Sequence, residues 1–157
     1  MKTFKTLLLL LMSQFLLVTL LINCGSETTP ELIAKNFVEQ GELAAEEGNA
    51  RSLRALIAET YLDQESRTKK DIAGIVSGYL LRNKNIHIFS KIDSVSQIDD
   101  RIEVQLFAAI TAKPVKDLSE LPSLNADIYL FELTLQEVDE WQLTSATWRQ
   151  ALLDDLI

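Results

Sequence analysis

The sequence predicts an α+β domain: three N-terminal helices packed on an antiparallel sheet of about four strands. Three observations predict it. Apolar residues recur with a helical period as far as Leu80. After Asn83-Lys84-Asn85 the period changes to two. The alternating segments are then joined by short acidic turns, Asp99-Asp100 and Val138-Asp139-Glu140. Helices first and hairpin-linked strands after them make an antiparallel sheet with the helices on one side.

The first helix opens at Thr29-Pro30-Glu31. Thr29 caps it, Pro30 suits the first helical position, and Glu31 suits the positive end of the helix dipole. Ile33, Phe37 and Ala44 share a face, with Leu32, Val38 and Ala45 beside it, and Gly48-Asn49 ends the helix. A second helix is expected over 50–59, burying Leu53, Leu56 and Ile57, followed by a turn or short extended piece over 60–65. Thr68-Lys69-Lys70-Asp71 reads as a capping box. The third helix then shows Ile72, Ile75, Val76, Tyr79 and Leu80 at a clear helical spacing. Gly74 and Gly78 lie four apart on it, either as a point of close approach or as tolerated cost.

In the first strand Ile86, Ile88, Ser90, Ile92 and Ser94 alternate with His87, Phe89, Lys91 and Asp93. In the second, Ile102, Val104, Leu106, Ala108 and Ile110 share one face. Residues 113–126 carry Pro114 and Pro122 and read as a long connection, either a pocket lid or, as favoured here, a solvated loop. A third strand over 127–136 sets Tyr129, Phe131, Leu133 and Leu135 on one face, and a fourth covers 141–149. The tail over 151–157 has room for one helical turn.

Ahead of this domain, Lys2 and Lys5 precede an apolar run over 7–22 that ends in Leu21-Ile22-Asn23-Cys24-Gly25. Cys24 is the single cysteine. This arrangement resembles the signal and lipobox of bacterial lipoproteins, with Leu21 three residues before the cysteine and Asn23 where the family favours Gly, Ala or Ser. The resemblance implies cleavage between Asn23 and Cys24 and a thioether lipid on Cys24. It implies anchoring in the bacterial cell envelope by acyl chains, two or more of which hold firmly. Gly25 in place of Asp points to the outer membrane, facing the periplasm, in a Gram-negative cell. The organisation expected is a signal over 1–23, a lipidated tether over 24–28 and one domain over 29–157. An uncleaved membrane anchor is the competing reading of a run this long.

The formal net charge is −8, and loss of Lys2 and Lys5 with the signal makes it two units more negative. Nucleic acid as a partner is excluded on that balance. With Cys24 lipidated no thiol remains for a disulfide, so packing alone must hold the core.

The order of elements, the polar entry Arg67-Thr68-Lys69-Lys70-Asp71 and the ending Asp139-Glu140-Trp141-Gln142-Leu143, closed by Trp148, resemble the nuclear transport factor 2-like superfamily. That superfamily includes ketosteroid isomerases and polyketide cyclases. The resemblance implies a curved sheet wrapping the helices into a cone with a pocket at its open end. Some members form dimers through the sheet, so a homodimer is one expectation.

No motif for a phosphate, a nucleophile or a cofactor is present, and one histidine with one cysteine builds no metal site. His87 and Asp93 are ~20 Å apart along an extended strand, so they form no dyad. The paired acids Glu46-Glu47, Asp99-Asp100, Asp139-Glu140 and Asp154-Asp155 are neighbours at turns and ends, where solvation explains them. No catalytic residue is assigned. Tyr79, Tyr129 and His87 are the candidates for lining a pocket. The function expected is non-catalytic binding of a small apolar ligand or of an envelope protein. An isomerase- or cyclase-like enzyme and a structural dimerisation subunit are the alternatives.

Overall fold

A computed structural model describes residues 28–124 and 126–155. The export signal, its cleavage position at Asn23 and Cys24, and the tether up to residue 27 lie outside the described residues. Among the described residues, no helix is long and apolar enough to cross a membrane.

Helix α1 spans Pro30–Glu46, and the Thr29 hydroxyl accepts the Leu32 amide at 3.3 Å. Its inward stripe buries Ala34, Phe37, Val38 and Ala44, and Gly48 leaves it at φ +66°, a conformation that glycine adopts without steric cost. Helix α2 covers only Ala50–Ala55, four residues short of the expected end. The reason is tertiary. The Leu143 amide donates to the Leu56 carbonyl at 2.8 Å, and the Ala58 amide donates to the Leu143 carbonyl at 2.9 Å. Pairing with the last strand draws the chain out of the helix, and Ile57 is buried just beyond it, 5% exposed.

Helix α3 spans Lys69–Arg82. Both the Thr68 amide and its hydroxyl donate to the Asp71 carboxylate, at 2.9 and 2.7 Å, so the capping box forms with Asp in the usual Glu place. Ile72 and Leu80 are buried, whereas Ile75 is exposed. Neither helix glycine marks a close approach: a Cβ on Gly74 would meet nothing within 4 Å, and one on Gly78 only the Arg82 guanidinium at 3.6 Å. Gly74→Ala is therefore expected to stabilise the domain by about 0.5–1 kcal/mol through helix propensity alone. A chemical-denaturation midpoint that stayed put or fell would show that α3 uses this glycine.

Strands β1 (His87–Ile98), β2 (Arg101–Thr111), β3 (Asp127–Glu137) and β4 (Trp141–Gln150) form one antiparallel sheet in sequential order. The sheet is curved, with the helices on its concave side. Ile102, Val104, Leu106 and Ala108 of β2 and Leu135 of β3 meet Ala34, Phe37 and Val38 of α1 in the main core. The register of β1 on β2 shifts between Ile92 and Ser94. The bulge reverses the alternation, so Val95 packs on this core and Ser94 is exposed, against the expected phase.

Among the described residues, the connection 113–126 lines none of the helix-side cavity and is largely exposed, as the solvated-loop reading expects, but it is not wholly solvated. It forms a 3₁₀ turn, Leu118–Ser123, and places Leu121, 3% exposed, against the far face of the sheet. There Phe107, Ala109, Ile128, Leu130 and Ala151 form a second core. Strands β2 and β3 are apolar on both faces, and the outer face requires a cover. The tail supplies part of it: the Ala151 amide donates to the Ile128 carbonyl at 2.9 Å, and Leu153–Asp155 make a single 3₁₀ turn. The helices and strands of the described residues thus pack around shared apolar cores on both faces of the sheet.

Candidate functional site

Between the concave face of the sheet and the three helices lies a cavity of about 400 Å³, within the range of ordinary ligand pockets. Its floor comes from the strand register. Ser90, Ala108 and Tyr129 stand on one rung across β1, β2 and β3, and Leu106, Phe131 and Trp148 on another across β2, β3 and β4. Ala108 leaves depth in the middle of the sheet. Phe37, Gly41 and Ala45 of α1 wall one side, and Val76 and Tyr79 of α3 the other.

The wall is overwhelmingly apolar, and its polar groups fall in two places. Tyr79 and Tyr129 stand together on one side. Burial raises the Tyr79 pKa, helped by the charge of Asp127. On the other side Glu42 of α1 and Ser90 of β1 line the wall together. Burial raises the Glu42 pKa, Ser90 opposes that, and the charges of Glu46 and Glu39 add to it.

Of the residues singled out from sequence, Tyr79 and Tyr129 line this cavity and His87 does not. The His87 side chain alternates away from Ile86 and Ile88, which do line it, and lies 4.0 Å from Glu46. Glu46 accepts the Ile88 amide at 2.8 Å, tying the end of α1 to the sheet edge. Glu42 was missed because it stands among the acids of α1. Its signal was its position, four residues after Val38 and three before Ala45, on the apolar stripe.

A second feature, not legible in the sequence, braces the cavity from outside. The Asp63 side chain is 1% exposed. It accepts the Glu65 and Arg67 amides at 2.9 Å each, the Arg67 Nε at 2.7 Å and the Tyr61 hydroxyl at 3.3 Å. Burial acts to raise its pKa, but the Arg67 amide and guanidinium and the Glu65 amide outweigh it and hold the carboxyl below its ordinary range. Burial beside that charge pushes the Tyr61 pKa up to about 12. Arg67 in turn lies over the Trp148 ring, 4.2 Å from its centroid, a cation–π contact on a ring that faces the cavity. Among the described residues, no group of three His, Cys, Asp or Glu side chains is arranged to hold a metal ion.

No family model and no curated protein sequence matches the chain. Solved structures match its fold. A candidate scytalone dehydratase from Novosphingobium aromaticivorans superposes with a TM-score of 0.62 at 11% identity, covering 76% of this chain and 83% of that one. A candidate dehydratase of the NTF2-like family from Streptomyces avermitilis gives 0.59 at 13% identity, covering 79% and 99%. Bd1075 of Bdellovibrio bacteriovorus gives 0.59 at 11% identity over 76% of this chain, which spans 40% of the length of that protein. Three helices on a curved four-stranded antiparallel sheet give this chain the nuclear transport factor 2-like, or cystatin-like, fold.

Proposed function

We propose that this chain is a lipid-anchored protein of the bacterial cell envelope whose domain binds a small apolar ligand without transforming it. The cavity carries the reading: about 400 Å³ with walls almost wholly apolar. Glu42 is the carboxylate in that wall, Ser90 lines it too, and neither a second acid nor a histidine is among the described lining residues. An apolar ligand of that size gains from burial at roughly 25 cal/mol per Å² before the costs of association. Anchoring rests on Cys24 and the run before it, and Gly25 favours the outer membrane, facing the periplasm. A homodimer through the sheet has less support, because Leu121 and its neighbours occupy the outer face.

A second reading has one observation in its favour. A carboxyl with a raised pKa in an apolar cavity is suited to proton transfer, and two of the structural neighbours are candidate dehydratases. Both readings meet in one experiment. Residues 25–157, exported to the periplasm and purified gently, are expected to retain a small molecule in native mass spectra. Ala108→Phe, which fills the cavity floor, is expected to lose it while keeping the far-ultraviolet circular dichroism of the wild type. A bare wild-type domain that also fails to bind N-phenyl-1-naphthylamine would end the ligand-binding reading. Release of a chemically altered molecule on incubation would replace it with the enzymatic one. For the anchor, Cys24→Ser in the full chain is expected to abolish lipid labelling and leave the precursor uncut. A Ser variant processed and retained like the wild type would refute it.

A further inference from the structure

We infer that the ligand is an amphiphile whose polar end is a hydrogen-bond donor, a primary amine in preference to a carboxylate, seated against Glu42 and Ser90. The inference rests on the ligand-binding reading above and adds the chemistry of the occupant's polar end. Glu42 and Ser90 belong to two walls at once. They line the inner cavity, and they also line a groove between α1 and β1 whose other residues include Lys35, Glu39 and Phe89. That groove is at the surface, since the Lys35 and Glu39 side chains are 64% and 58% exposed. The Glu42–Ser90 pair therefore stands where apolar cavity gives way to wet groove, the place for the polar end of a molecule whose body lies inside.

The chemistry of that end follows from what the pair can accept. In its ionised form Glu42 only accepts hydrogen bonds, and the Ser90 hydroxyl, which lines the same cavity and groove, can accept as well as donate. The surrounding charge has the same sign. Glu39 and Glu46 lie three residues before and four residues after Glu42 on helix α1, so they are its neighbours on the helix surface. Lys35 is paired with Glu39 at 3.7 Å, and His87 sits beside Glu46 rather than Glu42. A ligand carboxylate here would meet like charge, whereas an ammonium would form charge-assisted bonds in a partly desolvated setting. The far end of the body is set by the register. Ser90, Ala108 and Tyr129 occupy successive strands, so Ser90 and Tyr129 are ~10 Å apart. The apolar span lies over Ala108, and its end reaches the two tyrosines.

The test uses residues 25–157 and three ten-carbon probes, decylamine, decanol and decanoate, each displacing N-phenyl-1-naphthylamine. Decylamine is expected to displace the dye at a concentration at least about tenfold below decanoate, with decanol between them. In Glu42→Gln that preference is expected to shrink to about threefold or less. It is read as a ratio within each variant, so a general change in affinity cancels. Decanoate competing as well as decylamine, a preference unchanged in Glu42→Gln, or dye binding with displacement by none of the probes would overturn the inference and leave the cavity reading standing. Failure of the dye to bind the wild type, or equal binding by Ala108→Phe, would instead bring down the ligand-binding reading itself.

Discussion

Leu135→Ala is expected to cost about 2–5 kcal/mol, a large share of the stability of a domain this size. Leu135 is 0% exposed on strand β3, opposite Ile102, which is also 0% exposed. On its other side it pairs with Leu143 of β4. It thus stands in the main core, on one of the two central strands, where neighbours held on both sides by ladder hydrogen bonds have little room to collapse into the space left. The loss combines the transfer of the missing carbons with the cavity that remains. Urea melts followed by the fluorescence of Trp141 and Trp148 would read it as a lower midpoint at constant slope. Leu81→Ala, at a position 70% exposed, serves as the control and is expected to change stability by no more than about 0.5 kcal/mol. Equal effects at the two positions would show that the core is not organised around Leu135.

Asp63→Asn is the second large effect expected. The substitution keeps the shape and removes the charge, leaving Arg67 with the exposed Glu65 partner at 2.9 Å and over the ring of Trp148. The Asn amide also sets a donor where Arg67 and Tyr61 now donate. Loss of this hub is expected to lower the thermal midpoint clearly at neutral pH and to loosen Trp148, visible as a shift in tryptophan emission and as weaker dye binding in the cavity. The pH dependence identifies the cause. Asp63 has a folded pKa below its unfolded one, so its contribution is present above the ordinary Asp range. It is lost as pH falls through the folded value. The gap between wild type and Asp63→Asn should therefore close in acid. Tyr61 works in the opposite sense: with its folded pKa raised from 10.0 to about 12, its contribution is full below pH 10 and is lost as pH rises to about 12. Tyr61→Phe should lack that alkaline loss. A wild-type advantage over Asp63→Asn that persisted unchanged into strong acid would show that packing, not charge, underlies the hub.

Much of the architecture was legible along the chain. Thr29, Pro30 and the Thr68–Asp71 box announced helix starts, and each is used as such. The change of period after residue 85 announced the sheet, and the acidic turns placed its hairpins. These features could be read because each is a local record. A period of 3.6 or 2 reports which side of a segment faces a core, and a cap satisfies amides only a few residues away. The inward face of β2 could be read in the same way, residue for residue.

What could not be read depends on partners far along the chain. Helix α2 stops at Ala55 because Leu143 captures the following backbone. The bulge after Ile92 turns Val95 inward, and the connection 113–126 is drawn onto a second apolar face of the sheet. The candidate site has the same character. Tyr79 and Tyr129 could be proposed as lining residues, but Glu42 acquires its role only when β1 brings Ser90 to it. The Asp63 hub is built from near neighbours along the chain, but it reaches the cavity wall only because Trp148 lies under Arg67. The sequence by itself determined the kinds of element, their order and their inward faces, since those are set by spacing and local hydrogen bonding. Only the tertiary structure decided the cavity, its single carboxylate and the brace behind it, because these arise from side chains that chain folding brings together across dozens of residues.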